Sequence, residues 1–109
     1  MALYHFTAKA VSFGEGSAAR GRVFVSADKG IVFTGAGMPQ IDASKTFELW
    51  ILPAAGKPIA AGLFRSQSDA TAVYVRPGPV TNAARIAVTV EPADGSAQPT
   101  TSPFAIATL

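Results

Sequence analysis

The chain is a succession of short β-branched and aromatic segments, each bounded by Gly, Pro, Asn, Asp or Ser, and this pattern restricts its fold more than any other feature. Apolar residues rarely recur at the helical spacing i, i+3, i+4, i+7. Segments that follow one another at roughly 8 to 15 residues, with turn signals between them, are typical of an antiparallel sandwich or barrel. We therefore predict an all-β fold, an antiparallel β-sandwich of about 7–8 short strands. The predicted strands are residues 3–13, 22–27, 30–36, 46–52, 58–64, 70–76, 84–90 and 103–109.

Glycine and proline indicate where these segments turn and where they end. Residues 22–27 and 30–36 are separated by a short turn in which Gly30 can adopt the positive φ that a hairpin requires, and they form the clearest hairpin in the sequence. The proline-rich segments 75–80 and 91–103 cannot be central strands, because proline lacks the N–H that the ladder needs. We predict that both are surface loops or sheet-edge segments.

Length and composition are those of a single globular domain that spans residues 1–109. Hydrophobic residues make up 49% of the chain and charged residues 15%, a balance that separates it from disordered proteins. Its apolar stretches are far shorter than the ~20 residues of a membrane helix, and its first residues lack the continuous apolar segment of a signal peptide. We therefore expect no signal peptide, no transmembrane helix and no membrane contact by this chain itself.

The charged residues and the absence of cysteine exclude several classes of function. Although Lys and Arg exceed Asp and Glu by nine to seven, the basic residues lie singly, with no cluster that could follow a phosphate backbone. Nucleic acid is therefore not an expected partner. The lack of cysteine excludes disulfide bonds, a thiolate nucleophile and cysteine-ligated zinc or iron–sulfur centres.

The only tryptophan lies in the segment KTFELWIL, residues 45–52. Leu49 and Ile51 flank Trp50, so both faces of this strand are apolar, as in a central strand of a two-layer fold. We expect Trp50 to be a core or near-core residue rather than a binding platform. Glu48 shares the Trp50 face, and if it is buried it must be paired, for example with an arginine on an adjacent strand. Such an ion pair, or an exposed strand end, is favoured over a catalytic carboxylate because no second acid has a spacing that suggests pairing.

No other side chain forms a recognisable catalytic or metal-binding pattern. His5 is the only histidine, which excludes a multi-histidine metal site, and its place on the polar face of the first predicted strand favours a solvated side chain over a catalytic base. The glycine-containing segment 13–21 lacks the order of a phosphate-binding loop and is predicted to be an ordinary loop. We assign no catalytic, cofactor-binding or metal-binding residues and predict that the chain is not an enzyme. The remaining acids are scattered over predicted turns and do not form an oxygen cage for calcium: Asp28, Asp42, Asp69 and Asp94.

Beyond these physical signals, residues 16–109 carry a series of motifs in an order that is known from one family. The motifs are GRVFVSADKGIVFTGAGMPQIDASKTFELWILPAAGKPIAAGLF at 21–64, VYVRPGPV at 73–80 and IAVTVEPADGSAQPTTSP at 86–103. They resemble the C-terminal domain of the anti-sigma-K factor family. The resemblance implies a cytoplasmic N-terminal segment that holds a sigma factor, one transmembrane helix, and an extracytoplasmic β domain that controls release of the sigma factor through regulated proteolysis. Since the present chain has neither sigma-binding helices nor a membrane helix, the resemblance implies that it corresponds to the periplasmic or cell-surface β domain alone.

A second and shorter resemblance concerns residues 1–20. The opening MALYHFTAKAVSFGEGSAA is similar to the first strand and loop of MobA/MobL-type plasmid mobilisation relaxases, although the histidine cluster that binds the relaxase metal is missing. We therefore transfer no nicking activity and hypothesise a fusion instead, in which residues 1–15 are a foreign N-terminal strand. Such a strand would pair either with a sheet edge or with the same segment of another chain, so a homodimer through the N-terminal strand is one hypothesis.

These observations leave three function classes to compare. The leading prediction is a non-enzymatic regulatory or sensory β domain that acts through protein contacts, with a protein partner and without a cofactor. The alternative is a ligand-binding module for cell-wall or carbohydrate material, in which exposed aromatic side chains such as Tyr74 or Phe64 would provide stacking surfaces. An enzyme or nucleic-acid-processing fragment is supported only by residues 1–20 and is the least favoured.

Overall fold

The computed structural model describes residues 8–109, which fold into two four-stranded antiparallel sheets without any helix. The strands are β1 (Lys9–Phe13), β2 (Arg20–Ser26), β3 (Gly30–Ala36), β4 (Lys45–Pro53), β5 (Ile59–Phe64), β6 (Ala72–Pro77), β7 (Ala83–Pro92) and β8 (Ala105–Thr108). The first sheet has the strand order β1-β2-β3-β6, and the second sheet has the order β5-β4-β7-β8. The predicted antiparallel β-sandwich is confirmed. Within this part of the chain, no helix could cross a membrane.

The strand boundaries follow the strand and turn signals of the sequence. Seven of the eight predicted segments overlap β2 to β8, and β1 forms the end of the first predicted segment. Residues 3–7 of that segment, which include His5, lie outside the described residues, so the strand predicted there is confirmed only from Lys9 onward. Glu91 and Pro92 belong to β7 rather than to the predicted loop 91–103.

The predicted hairpin joins β2 and β3, whose register runs from Arg20 opposite Ala36 to Ser26 opposite Gly30. Gly30 has a φ of +134°, and a Cβ atom at this position would lie 2.2 Å from the carbonyl oxygen of Arg76 on β6. Glycine is therefore needed both for the backbone angle and for the close approach of the neighbouring strand. β6 forms the edge of the sheet beside β3, which agrees with the proline at its end.

Alternate side chains of both sheets meet in one hydrophobic core between the layers. A series of aromatic contacts crosses this core from Phe13 on β1 through Phe33, Phe64 and Phe47 to Phe104, with neighbouring ring centroids 5.2–5.5 Å apart. These contacts connect the first sheet to the second sheet and to the segment before β8. The aliphatic residues that complete the most buried part of the core are Val23, Ile31, Leu49, Ile51, Ile86 and Val88.

The pairing of β4 with β5 contains a bulge. The register shifts between Glu48 and Trp50, where β5 has one residue more than β4. The bulge includes Gly62, which has a φ of +125° and at which a Cβ atom would lie 1.8 Å from the hydroxyl oxygen of Tyr74 on β6. The Tyr74 ring in turn stacks on Phe64, with the centroids 5.1 Å apart. The bulge therefore closes the sandwich where the edge strands β5 and β6 approach each other.

We expect Gly62→Ala to destabilise the domain more than Gly56→Ala, although both glycines have positive φ angles, +125° and +107°. A Cβ atom at position 56 would meet only the Pro53 side chain, at 3.8 Å, so that variant should lose about 1 kcal/mol through backbone strain alone. At position 62 the methyl group would collide with Tyr74, which should add about 1–3 kcal/mol for overpacking. Urea unfolding monitored by circular dichroism measures both losses. Equal losses would show that the Tyr74 contact tolerates a methyl group.

Candidate functional site: a carboxylate cluster beneath the loop between β7 and β8

Four side chains of the second sheet lie together on its outer face, which is turned away from the core between the sheets: Glu48, Trp50, Thr89 and Glu91. β4 and β7 are paired with Glu48 opposite Thr89, and residues two apart on a strand share a face. Trp50 therefore joins Glu48 on β4, and Glu91 joins Thr89 on β7. All four side chains are buried, which confirms the prediction of a near-core Trp50. Because the first sheet lies on the opposite side, another element must cover them.

The covering element is the connection between β7 and β8, residues 93–104, which we call the strap. Backbone hydrogen bonds fix both of its ends. The Ala93 N–H donates to the Ser44 carbonyl at 2.9 Å, and the Phe104 N–H donates to the Val88 carbonyl at 3.1 Å. None of the strap residues is itself buried. Apart from Phe104 at its end, which packs against Phe47 in the core, hydrogen bonds hold the strap to the sheet more than the burial of apolar side chains does.

Glu91 is the centre of this attachment. Its carboxylate accepts hydrogen bonds from the Thr89 hydroxyl at 2.6 Å and from two strap residues. The Ser96 hydroxyl donates at 2.8 Å, and Thr100 donates through its hydroxyl at 2.5 Å and through its backbone N–H at 3.1 Å. Thr89 also accepts a hydrogen bond from Trp50 Nε1 at 2.8 Å. The tryptophan, the carboxylate and the strap thus form one continuous network.

Glu48 contacts the same strap residue. Its Oε1 accepts a hydrogen bond from the Ser96 backbone N–H at 2.8 Å, while the Ser96 hydroxyl donates to Glu91. The predicted arginine partner and the predicted exposed strand end are both wrong, because Glu48 is buried and a backbone amide of the strap satisfies it. No second acid has a sequence spacing that suggests pairing with Glu48, but in the fold Ser96 connects Glu48 to Glu91.

The environment shifts the pKa values of the two carboxyl groups in opposite directions. Burial alone would raise the pKa of Glu91, but hydrogen bonds from Thr100, Thr89 and Ser96 outweigh burial and bring the pKa below the ordinary value of 4.5. Burial raises the pKa of Glu48 above 4.5; the Ser96 N–H opposes this rise, and the charge of Glu91 adds to it. Among residues 8–109, no Lys or Arg contributes to either shift. Glu91 is therefore the ionised group that holds the strap, and Glu48 is an acid whose ionisation the fold disfavours.

Chemically, this arrangement attaches a loop to a sheet. Glu91 Oε1 faces the hydroxyls of Ser96 and Thr100, and Oε2 faces the hydroxyl of Thr89, so both oxygens are used by groups of the chain itself. In the part of the chain that the structure describes, no three residues of the His, Cys, Asp and Glu types form a group suited to a metal ion. The absence of catalytic and cofactor-binding residues stays a prediction.

The other candidate residues lie apart from this cluster. Asp28, Asp42 and Asp69 are exposed turn residues, and each accepts a hydrogen bond from a Ser or Thr two residues away, which lowers the pKa of its carboxyl group. Phe64 is only 8% exposed and stacks on the half-buried Tyr74. The prediction that these two rings form an exposed stacking surface is therefore wrong.

The sequence pattern did not identify Glu91, which accepts more hydrogen bonds than any other side chain of the cluster. Its position before Pro92 favours a loop. One feature of the sequence could have identified it: Ala87, Thr89 and Glu91 alternate, so Glu91 extends one face of the predicted strand 84–90 by one residue.

Replacement of each acid by its amide should have different effects on stability at neutral pH. Glu91→Gln places an amide donor where the carboxylate accepts hydrogen bonds from Ser96 and Thr100, so we expect the free energy of unfolding to fall by about 2–3 kcal/mol. Glu48→Gln keeps an acceptor for the Ser96 N–H and removes the repulsion with Glu91, so we expect unchanged or higher stability. Urea unfolding followed by the fluorescence of Trp50, the only tryptophan, measures both values.

The pH dependence of the same variants provides the control. Because the folded-state pKa of Glu91 is lowered, its stabilisation is complete above pH 4.5 and is lost as the pH falls through the folded-state value. Because the pKa of Glu48 is raised, its contribution is present below pH 4.5 and is lost as the pH rises through the raised value. The free energy of unfolding of Glu91→Gln should therefore fall less steeply than that of the parent protein as the pH drops below 4.5. The free energy of unfolding of Glu48→Gln should fall less steeply than that of the parent protein as the pH rises above 4.5. Identical profiles for both variants would contradict these assignments.

Sequence comparison places the chain among known proteins. The family model described as "Anti-sigma-K factor rskA, C-terminal" matches residues 5–104. The matched range starts before residue 16, where the motifs quoted above begin, and it includes β1. The strand that was hypothesised to be foreign thus lies largely within the matched range.

One relative shares much of this chain. A Streptomyces griseus protein described as an uncharacterized protein in the phr 5′ region is 37% identical over 89 residues, or 81% of the present chain. The chain spans 37% of the length of that relative. No solved structure matches the present chain. On the match over residues 5–104, this chain belongs to the family of anti-sigma-K factor C-terminal domains.

Proposed function

We propose that this chain is the extracytoplasmic regulatory domain of an anti-sigma-K factor and that it acts through contacts with other proteins rather than by catalysis. The observation that carries the proposal is the family match over residues 5–104. An anti-sigma factor is a regulator whose partners are proteins. The extracytoplasmic location rests on the organisation that the family resemblance implies, in which the C-terminal domain lies outside the cytoplasmic membrane.

The contacts of the carboxylate cluster support a structural use of its acids. A general acid or base must reach the proton that it transfers. Glu91 is completely buried and receives hydrogen bonds from Thr89, Ser96 and Thr100 of its own chain. Glu48, also buried, is directed to the Ser96 N–H. Both carboxylates are therefore occupied by groups of their own chain.

The strap gives the domain a segment that can respond to its surroundings. Segments with few buried apolar contacts open at a lower free energy than the core of the same protein. No residue of the strap, 93–104, is buried, whereas β4 and β7 beneath it are buried on both faces. We infer that opening of the strap, rather than unfolding of the sandwich, is the first change that a partner or a protease of this domain would meet.

A single introduced cysteine can test the location, because the chain contains no cysteine of its own. We expect Ala55→Cys, in the exposed turn between β4 and β5, to react with a membrane-impermeant maleimide when intact cells make the full gene product. Ala87→Cys on the buried strand β7 is the matched control and should react only after denaturation. Labelling of position 55 only after cell lysis would contradict an extracytoplasmic location.

Removal of residues 8–109 from the full gene product tests the regulatory role. We expect the transcripts of one sigma-factor-dependent gene set to change together, because the domain would no longer control release of the sigma factor. A strain with the intact domain carrying Ala55→Cys is the control and should keep the normal transcript levels, since position 55 is exposed in a turn and contacts neither the core nor the carboxylate cluster. Transcript profiling compares the strains. A profile that is insensitive to removal of the domain would contradict the regulatory role.

A further inference from the structure

The outer face of the first sheet carries a continuous row of apolar side chains. In the register of its four strands, Ala10 lies opposite Phe24, Phe24 opposite Val32, and Val32 opposite Val75. Val75 is 56% exposed, and Val73, two residues earlier on the same face, is 71% exposed. A groove of about 180 Å³ is lined by Phe24, Val32 and Val75 of this row and extends toward Lys29 and Arg76. On the outer face of the second sheet the strap covers the carboxylate cluster but leaves Ile106 44% exposed, whereas Val73 and Val75 of the first sheet are the most exposed large apolar side chains among the described residues.

Charge also distinguishes the two sheets. The strands of the second sheet contain two basic residues, Lys45 and Arg85, and two acidic residues, Glu48 and Glu91. The strands of the first sheet contain basic residues and no acidic residue: Lys9, Arg20, Arg22 and Arg76. The first sheet is therefore cationic, and a partner with complementary charge would be acidic.

Arg22 lies beside the apolar row on a strand without acidic residues, whereas Lys29, which lines the groove, follows Asp28 in the turn between β2 and β3. Arg22 lies on β2 two residues before Phe24, so both side chains are on the outer face. The side chains of Arg20 and Arg76 donate hydrogen bonds to carbonyl groups of neighbouring loop residues, at 2.9 and 2.8 Å. Arg22 is exposed beside the row, opposite Thr34 of β3. A carboxylate could therefore reach Arg22 while apolar groups contact Phe24 and Val75.

We propose that this face binds an extended segment of a partner protein that presents a carboxylate and apolar side chains on the same side. An extended chain directs every second residue to one face, as the strands of the sheet do. The segment would cross the strands obliquely: its acidic residue would lie at Arg22, the apolar residue two positions further along would lie between Phe24 and Val32, and the next apolar residue of the same face would lie at Val75. The inference rests on the proposed function, because it names the partner chemistry for the protein contacts proposed above.

Two other occupants fit this face less well. A second copy of the chain would bring two cationic faces together, and like charges at an interface oppose association. Anionic membranes are typically bound by about four to eight clustered Lys and Arg residues, whereas β2 offers this face only Arg20 and Arg22. A protein segment with one acid and a few apolar residues matches both the sign of the charge and the narrow row.

A pair of short synthetic peptides tests this inference on the full chain. In one peptide Glu, Val and Val occupy alternate positions with Thr between them, and in the other Lys replaces Glu. We expect the Glu peptide to shift the amide NMR signals of β2, β3 and β6, and the Lys peptide to bind about fivefold more weakly. The measured quantity is the dissociation constant from the titration of each peptide.

Variants of the chain locate the binding surface. Arg22→Gln should weaken binding of the Glu peptide about two- to fivefold, through loss of an exposed ion pair. Val75→Thr should weaken it about fivefold, through loss of apolar contact. Ile106→Thr is the matched control, because Ile106 is an exposed aliphatic residue, 44% accessible, on β8 of the second sheet. Binding by this variant should be unchanged.

Several results would overturn the inference. Equal binding of the two peptides, shifts confined to the second sheet, or no shift at millimolar peptide would reject an acidic segment as the occupant. Co-sedimentation with phosphatidylglycerol vesicles that Val75→Thr abolishes would identify a membrane instead, and a dimer that the same variant dissociates would identify a second copy. If removal of the domain changes the transcript set but the Glu peptide does not bind, this inference fails alone. If the peptide binds but the transcripts do not respond, the regulatory role fails alone.

Discussion

The hydrogen-bonded burial of the Glu91 carboxylate is the interaction on which the second sheet and its covering loop depend. A buried carboxylate is costly unless donors satisfy its oxygens, and here Thr89, Ser96 and Thr100 supply them. Two of these residues belong to the strap, so the sheet can bury Glu91 only while the strap is attached. The strap in turn has no buried residue of its own and depends on the carboxylate. Trp50 joins the same network through Thr89, so the burial of the largest side chain is part of this mutual dependence.

The sandwich uses its two outer faces differently. In the second sheet, β4 is buried at six consecutive positions, 46–51, because the core lies on one side and the strap on the other. In the first sheet, β6 alternates, and Val73 and Val75 remain open. Exposed valines on an edge strand favour unwanted association, and basic residues nearby counteract it through charge repulsion. In the proposed binding, Arg22 would therefore have two compatible effects: it would oppose association of two copies of the chain and attract a partner of opposite charge.

The sequence predicts nearly all of the strands, because β-branched and aromatic segments and the turn residues between them act locally. It also predicts a buried Trp50, since apolar neighbours flank it on both sides. What it cannot predict is the element that covers each face. Glu48 lies near Glu91 only through the pairing of β4 with β7, two strands that are distant in sequence. Phe64 becomes a core residue only through the β5 bulge and the ring of Tyr74. Alternation assigns a side chain to a face of its strand but does not identify its neighbours.

Glu48 is the member of the cluster whose ionisation works against the folded state at neutral pH, because burial and the charge of Glu91 both raise its pKa. It shares Ser96 with Glu91, so its charge weakens the attachment that Glu91 provides. An uncharged acceptor would satisfy the Ser96 N–H without this cost, and stability alone therefore does not account for an acid at this position. In a domain proposed to respond to its surroundings, an acid that lowers the free energy of detaching the strap makes the opened form more accessible to a partner. In this proposed response, Glu91 would hold the strap closed and Glu48 would limit how firmly it is held.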